Sequence, residues 1–327
     1  MDFETSFKKD LINKFKEKKY GKNKDKELSQ SSIDLYIRNL EMLNDNFPLK
    51  NLNFLKNVDE IINKLKKYKE NTKRGYLISI CSALSTDKDT KTKMKIYNQY
   101  YKLLSDKNTE LKKIENSNVL SETQKKNWIT WDDVKNKFLD IQSQVDKFKN
   151  NKIINEHNYN ILLQYIVLGL YYLKQPRRNE YYKMSIVKKY TDKLPIIENY
   201  LDYDNKEFIF NTFKTVKKEG QQIEKIPDEL MNVINIYLKF HPIIKNKKLK
   251  NSDKVHFLVY HDGTPFNKVN SITRILNKIF NKQIGSSQLR HIYLSSKYSN
   301  VLENQKKDAQ AMGHSLQQAM DYIKIKK

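Results

Sequence analysis

Residues 156–180 read EHNYNILLQYIVLGLYYLKQPRRNE. From Glu156 to Leu173 apolar side chains fall on every face of a helix, the pattern of a helix buried on all sides. Pro176 cannot continue that helix, and the run ends in Arg177, Arg178, Asn179 and Glu180. A helix with no polar face needs a domain built around it. Its longest apolar part, Ile161 to Leu173, is interrupted by Gln164 and is too short to span a bilayer.

Working outward, Thr130 ahead of Trp131-Asp132-Asp133 has the form of a helix cap. Phe208 to Phe213 and Gln221 to Ile226 have the composition of two strands, with Lys217-Lys218-Glu219-Gly220 as a hairpin turn. A helix is expected over 228–240, a third strand from His256 to Tyr260 ended by Asp262-Gly263, and helices over the rest. The lysine-rich run Lys245 to Lys254 is expected to be a solvated loop. On the N-terminal side a short charged helix spans 3–19. Ser32 is placed to cap a helix carrying Ile33, Tyr36, Ile37, Leu40 and Leu43 and ended by Phe47-Pro48. Further helices are predicted near 58–69, 71–85 and 90–105, and the aperiodic stretch Leu111 to Lys126 is expected to be a linker. The expected fold is mainly α with a small antiparallel β-sheet, an α+β arrangement. It is divided into a basic N-terminal segment 1–26, a helical domain 27–118 and a mixed domain 119–327.

The chain of 327 residues carries a formal charge of +24. Residues 1–118 hold 26 basic and 17 acidic side chains and the remainder 36 and 21, so both parts are cationic. Charge spread in this way suits a protein that surrounds a polyanion. A membrane partner would call for a basic amphipathic helix or a lipidation motif, and the start Met1-Asp2-Phe3-Glu4 offers neither. One cysteine, Cys81, excludes an intramolecular disulfide; an intracellular location is expected. No carboxylate cluster, Cys/His ligand spacing or Gly-rich phosphate loop is present, so neither a metal nor a cofactor is expected.

Of the 62 basic residues only six are arginine: Arg38, Arg74, Arg177, Arg178, Arg274 and Arg290. Where a point charge suffices this chain uses lysine, so the arginines mark places for a planar, bidentate fork. Arg74, Arg178 and Arg274 are expected DNA contacts. Arg177 and Arg290 sit in motifs that, like those of the candidate histidine and tyrosine, are ordinary singly. Arg177 and Glu180 have the spacing of a helix ion pair, His314 could be a helix cap, and Tyr322 is one of 21 tyrosines.

In order, however, Arg177-x-x-Glu180, a hairpin lysine Lys214, Leu289-Arg290-His291, Met312-Gly313-His314-Ser315 and Tyr322 resemble the catalytic domain of the tyrosine recombinases, the integrase family. The resemblance covers about residues 120–327, and the helical domain before it is similar to that family's core-binding domain. It implies a site in which Arg177, Arg290 and His314 bind the phosphodiester, Lys214 protonates the departing 5′-oxygen, and Tyr322 attacks to form a 3′-phosphotyrosyl bond. Glu180 and His291 are supporting residues, and a tetramer assembled on DNA is the implied working form. Ser287 stands where the family has His or Lys, and His314 and Tyr322 are eight residues apart, one fewer than in many bacterial members. Type IB topoisomerases and telomere resolvases share this chemistry; an inactive DNA-binding relative is the alternative of a different class.

Overall fold

The computed structural model describes residues 5–17, 27–86, 91–117, 119–244, 249–250 and 253–323. Within these, the chain forms two compact units, Met1–Val119 and Leu120–Lys327. The link 18–26, the residues after Ile323, and most of the lysine run expected as a solvated loop lie outside the described residues.

The first unit is all helical: α1 (Ser6–Glu17), α2 (Gln30–Leu43), α3 (Val58–Leu65), α4 (Glu70–Leu84) and α5 (Lys91–Asn116). Helix α1 belongs to its core, because Leu11 and Phe15 are buried with Ile33, Ile37, Leu40 and Leu43 of α2 and Tyr76, Leu77 and Ile80 of α4. Buried Asn39 donates to Ser79 Oγ at 2.9 Å, tying α2 to α4 through a satisfied polar pair. The cap of α2 is Ser29, which accepts from the Ser32 amide. Ser32 turns its own hydroxyl to Ser29, 2.9 Å away, and so is not the cap. Nor does α2 reach Phe47-Pro48. It stops at Leu43, and the chain reverses through Asp45 and Asn46 in the left-handed region, which Asp and Asn tolerate. The expected linker is mostly helical too. Helix α5 continues to Asn116 and α6 (Glu122–Asn127) follows under a Ser121–Gln124 capping box. Apolar periodicity is lost there because the helix is exposed, and exposure alone does not end a helix rich in Lys and Glu.

The second unit is built around α8 (Glu156–Tyr172), which is buried almost throughout its length. Helix α7 (Trp131–Asp146) starts at Thr130 with the capping box completed by Asp133. Gly169 on α8 is where neighbours come closest: a Cβ there would lie 3.3 Å from Val233 Cγ1 and 3.6 Å from Phe138 Cε2.

The sheet is mixed, not antiparallel. Its strands are β1 (Ser185–Val187), β2 (Tyr200–Asp202), β3 (Glu207–Phe210), β4 (Gln222–Lys225) and β5 (Lys254–His256), in the spatial order β4-β3-β2-β1-β5. Strands β1 and β2 run parallel in the register Ser185↔Tyr200, and the other pairings are antiparallel. The expected β3–β4 turn contains a helical turn, α9 (Val216–Glu219), closed by Gly220 at φ 72°. The strand expected over His256–Tyr260 ends at His256, because the chain then folds back so that Val259 bridges Pro265 around Asp262-Gly263. Helix α10 (Asp228–Lys239) and α11 (Ser271–Phe280) pack on α8. The long α12 (Ser286–Ala311) and short α13 (Leu316–Tyr322) complete the unit.

Candidate active site

After Pro176 ends the buried helix, the arginine doublet is fixed by its backbone. Tyr171, buried on α8, donates its hydroxyl to the carbonyl of Arg178 at 3.1 Å. Burial holds the Tyr171 phenol well above its ordinary pKa, so it stays a neutral donor. Buried Asn199 adds a second clamp. Its amide donates to the carbonyls of Glu180 (3.1 Å) and Thr212 (3.0 Å), while its oxygen accepts from the amides of Asn211 and Thr212. The first arginine motif is thereby tied both to α8 and to the end of β3.

The two arginines of the doublet differ sharply. Arg177 Nε donates to Glu180 at 2.8 Å, and its Nη1 binds Gln222 at 2.9 Å and the Glu224 carboxylate. Its guanidinium lies 3.8 Å above the Phe210 ring, and Glu224 also pairs with Lys174 at 2.8 Å. Arg177 is therefore stacked and countered by two carboxylates. No hydrogen bond or ion pair holds the Arg178 guanidinium among the described residues. Gln222, Glu224 and Asn199 are site residues that sequence reasoning missed. The Gln222-x-Glu224 pair on one face of a strand was the available signal.

Arg290 sits near the start of α12, whose N-cap Gly285 supplies no side-chain cap. It is half-buried, its Nε is buried without a hydrogen-bond partner, and its Nη2 reaches only Ser287 Oγ at 3.4 Å. Burial and then the charge of Arg178 lower its pKa, against an opposing pull from Glu180. The charge of Arg178 is thus felt at Arg290 as a like charge. Gln288 Nε2 on the same helix and Asn179 Oδ1, next to Arg178 in sequence, are likewise buried without partners. His291 is exposed on the neighbouring face of α12. Lys214 is exposed in the turn before α9, close in sequence to the Thr212 that Asn199 clamps. Arg74, on α4 of the first unit, donates to Asn108 at 2.5 Å, and Arg274 is exposed on α11.

At its far end α12 is closed by the turn that the Gly-His-Ser motif encodes. The His314 amide bonds the Ala309 carbonyl at 2.9 Å and the Gly313 amide bonds Gln310 at 3.1 Å, with Gly313 at φ 72°. Ser315 then caps α13 in a box with Gln318. This turn places the His314 and Tyr322 rings 5.5 Å apart, with Tyr322 70% exposed. The structure thus brings His314 and Tyr322 together, while Arg290 sits near the opposite end of α12 from the turn that carries them. At 1.5 Å per residue the part of α12 from Arg290 to Ala311 is roughly 30 Å long.

Among the described residues no helix is long and apolar enough to cross a membrane, and no group of three or more His, Cys, Asp or Glu is placed to hold a metal ion. Comparison of the chain with family models, with curated proteins and with solved structures gives no match.

Proposed function

We propose that the protein cleaves and rejoins double-stranded DNA through a 3′-phosphotyrosyl intermediate, as a site-specific recombinase or integrase acting as an assembly on DNA. The observation that carries the reading is the half-buried Arg290, whose buried Nε has no partner. A partly buried guanidinium with an unused donor is satisfied by an anion placed against it, and a phosphodiester fits that demand. As the phosphorus becomes five-coordinate, charge grows on its nonbridging oxygens, and guanidinium donors stabilise that charge without a metal. Tyr322 is the nucleophile, His314 adds a donor beside it, and Lys214 protonates the leaving 5′-oxygen. The energy of the broken ester is kept in the phosphotyrosyl bond, so rejoining needs no nucleotide cofactor. Arg74 and Arg274, with the many lysines, contact the DNA backbone.

Because Arg290 lies at the start of α12 and the turn to α13 and Tyr322 follows its far end, the reaction requires either a rearrangement of α12 and α13 on DNA or the Tyr322 of a second copy. The same separation, with Ser287 in place of a stronger proton carrier, favours a second reading: a DNA-binding relative that no longer cleaves. A nicked suicide duplex decides between them. The wild type should yield a denaturation-resistant adduct that Tyr322→Phe abolishes while keeping DNA affinity. Adduct that persists in Tyr322→Phe moves the nucleophile elsewhere, and tight binding with no adduct at all supports the second reading.

A further inference from the structure

We propose that the cavity between α7, α8 and α11 is a binding site for a small organic phosphate of the nucleoside monophosphate class. The proposal does not rest on DNA cleavage, and no residue of the candidate active site takes part in it. The cavity has a volume of about 280 Å³, near the lower end of the range of small-molecule sites. One face of each of two helices lines it. Helix α8 supplies His157, Asn160, Ile161 and Gln164, and α7 supplies Lys137, Ile141 and Gln144, both sets at the spacing of a single helix face. The end of α11 adds Lys278 and Ile279.

The polar part of this lining lacks partners. Gln164, which interrupts the apolar run of α8, opens on the cavity. Among the described residues its carboxamide, that of Asn160, the His157 ring and the Lys278 ammonium have no hydrogen bond or ion pair. Gln144 bonds only within its own helix, at 3.5 Å to the Asp140 carbonyl, and Lys137 has a 3.5 Å pairing with the exposed Asp140 that holds it weakly. Among the described residues no carboxylate lines the cavity, so its charged groups are all basic. Lysine ammoniums serve phosphate as point charges, and an imidazole N–H adds a directed donor. Each carboxamide offers both acceptor and donors, the complement of a nucleobase edge, and the three isoleucines offer an apolar wall to the face of the base. A wholly apolar ligand would strip water from the carboxamides and ammoniums without replacing it, and a bare inorganic anion would leave the isoleucines uncovered. With helices on three sides, the cavity admits no base that is stacked and paired inside a duplex, so the ligand is a free mononucleotide.

The test uses the full-length protein labelled at isoleucine δ1 methyls, with Ile141→Val, Ile161→Val and Ile279→Val assigning the three lining signals. Salt at about 0.15 M screens the general attraction of a chain of charge +24. Adenosine, guanosine, cytidine and uridine monophosphates, the uncharged nucleosides, inorganic phosphate and a duplex are titrated separately. At least one mononucleotide should move the three signals along one saturating curve, with phosphate alone and the matching nucleoside each at least about tenfold weaker. Gln164→Leu should weaken that mononucleotide roughly fivefold and Lys278→Gln roughly tenfold, the losses expected for a neutral and a charge-assisted hydrogen bond. Neither variant removes a bond within the protein, so both should melt no lower than the wild type. The proposal is overturned if no mononucleotide moves these methyls at millimolar concentration, or if both variants bind as the wild type does. It is also overturned if phosphate or the nucleoside alone binds as tightly as the mononucleotide, or if the duplex moves the signals and no mononucleotide does.

Discussion

Replacing Arg177 with alanine should cost the second unit stability. The substitution deletes hydrogen bonds to Glu180 (2.8 Å) and Gln222 (2.9 Å), the ion pair with Glu224 and the stacking on Phe210. Breaking a fully buried pair costs about 3–5 kcal/mol because the orphaned charge stays buried. This pair is less buried, since the Glu224 side chain is 26% exposed and keeps Lys174 at 2.8 Å, so about 2–3 kcal/mol is expected after discounting for solvent. For a unit of this size that lowers the melting temperature by roughly 5–10 °C. Removing the stranded charge as well, in Arg177→Met with Glu224→Gln, should recover about 1 kcal/mol. Both tryptophans, Trp128 and Trp131, belong to the second unit, so urea unfolding followed by their fluorescence reports that unit alone. An Arg177→Ala protein that unfolds at the wild-type midpoint would refute the reasoning, because the contacts around Arg177 would then carry no net free energy.

Three further outcomes are expected. His241, fully buried, donates from Nε2 to the His256 carbonyl and accepts at Nδ1 from the Ile243 and Ile244 amides, and burial lowers its pKa to about 4. The folded state therefore excludes a proton that the unfolded chain takes up below about 6.5, so stability is full above that pH and falls by about 3 kcal/mol as pH drops toward 4. Urea midpoints at pH 7 and 5 measure it, and a slope unchanged in His241→Asn would assign the effect to other groups. Adduct formation should survive chelators, because guanidinium donors occupy the role of metals, whereas DNA affinity should fall steeply with salt; a strict magnesium requirement for cleavage contradicts this. Lys214→Ala should regain cleavage when the bridging 5′-oxygen is replaced by sulfur, a leaving group that needs no proton, and rescue of Lys217→Ala instead would shift the acid along the turn.

Local chemistry made part of the fold legible. The Thr130 cap and the nearly all-apolar α8, which stops at Tyr172 ahead of Pro176, follow from residues a few positions apart, and the structure has both. What escaped depends on distant partners. Strands β1 and β2 are three residues long and buried on both faces, so neither shows the alternation by which strands are found, and their parallel pairing made the sheet mixed. The end of α5 was misplaced because periodicity reports burial, and a solvated helix has none. The arginine doublet is the sharpest instance. Arg177 and Arg178 are equivalent in local sequence, and which one stays free is decided by Gln222 and Glu224 on β4, more than forty residues away. The spacing to Glu180 pointed to Arg177, and that spacing is satisfied by an ordinary ion pair.

The separation along α12 has a similar origin and a larger consequence. Between Ser286 and Ala311 there is no Gly or Pro, so nothing in the backbone ends the helix, and the turn comes only at Gly313. The first part of α12 is anchored by buried Leu289 and Ile292 and by Tyr293 against Trp131 at 5.1 Å. Beyond Tyr293 its apolar side chains Leu294, Tyr298 and Val301 are about half exposed, Ala309 is buried, and α13 buries none of its residues. A helix with so little tertiary packing draws little stability from propensity alone, so this outer half is a part of the unit that costs little to rearrange. On the proposed reading, that arrangement makes an isolated protomer harmless. It holds Arg290 and the tyrosine, but with roughly 30 Å of α12 in the chain between them. The charge of +24 opposes self-association until phosphate neutralises it. DNA would then act twice, setting its anion against Arg290 and allowing a second copy close enough to cover Leu294, Tyr298 and Val301, so that the nucleophile reaches the phosphate only in the assembled complex.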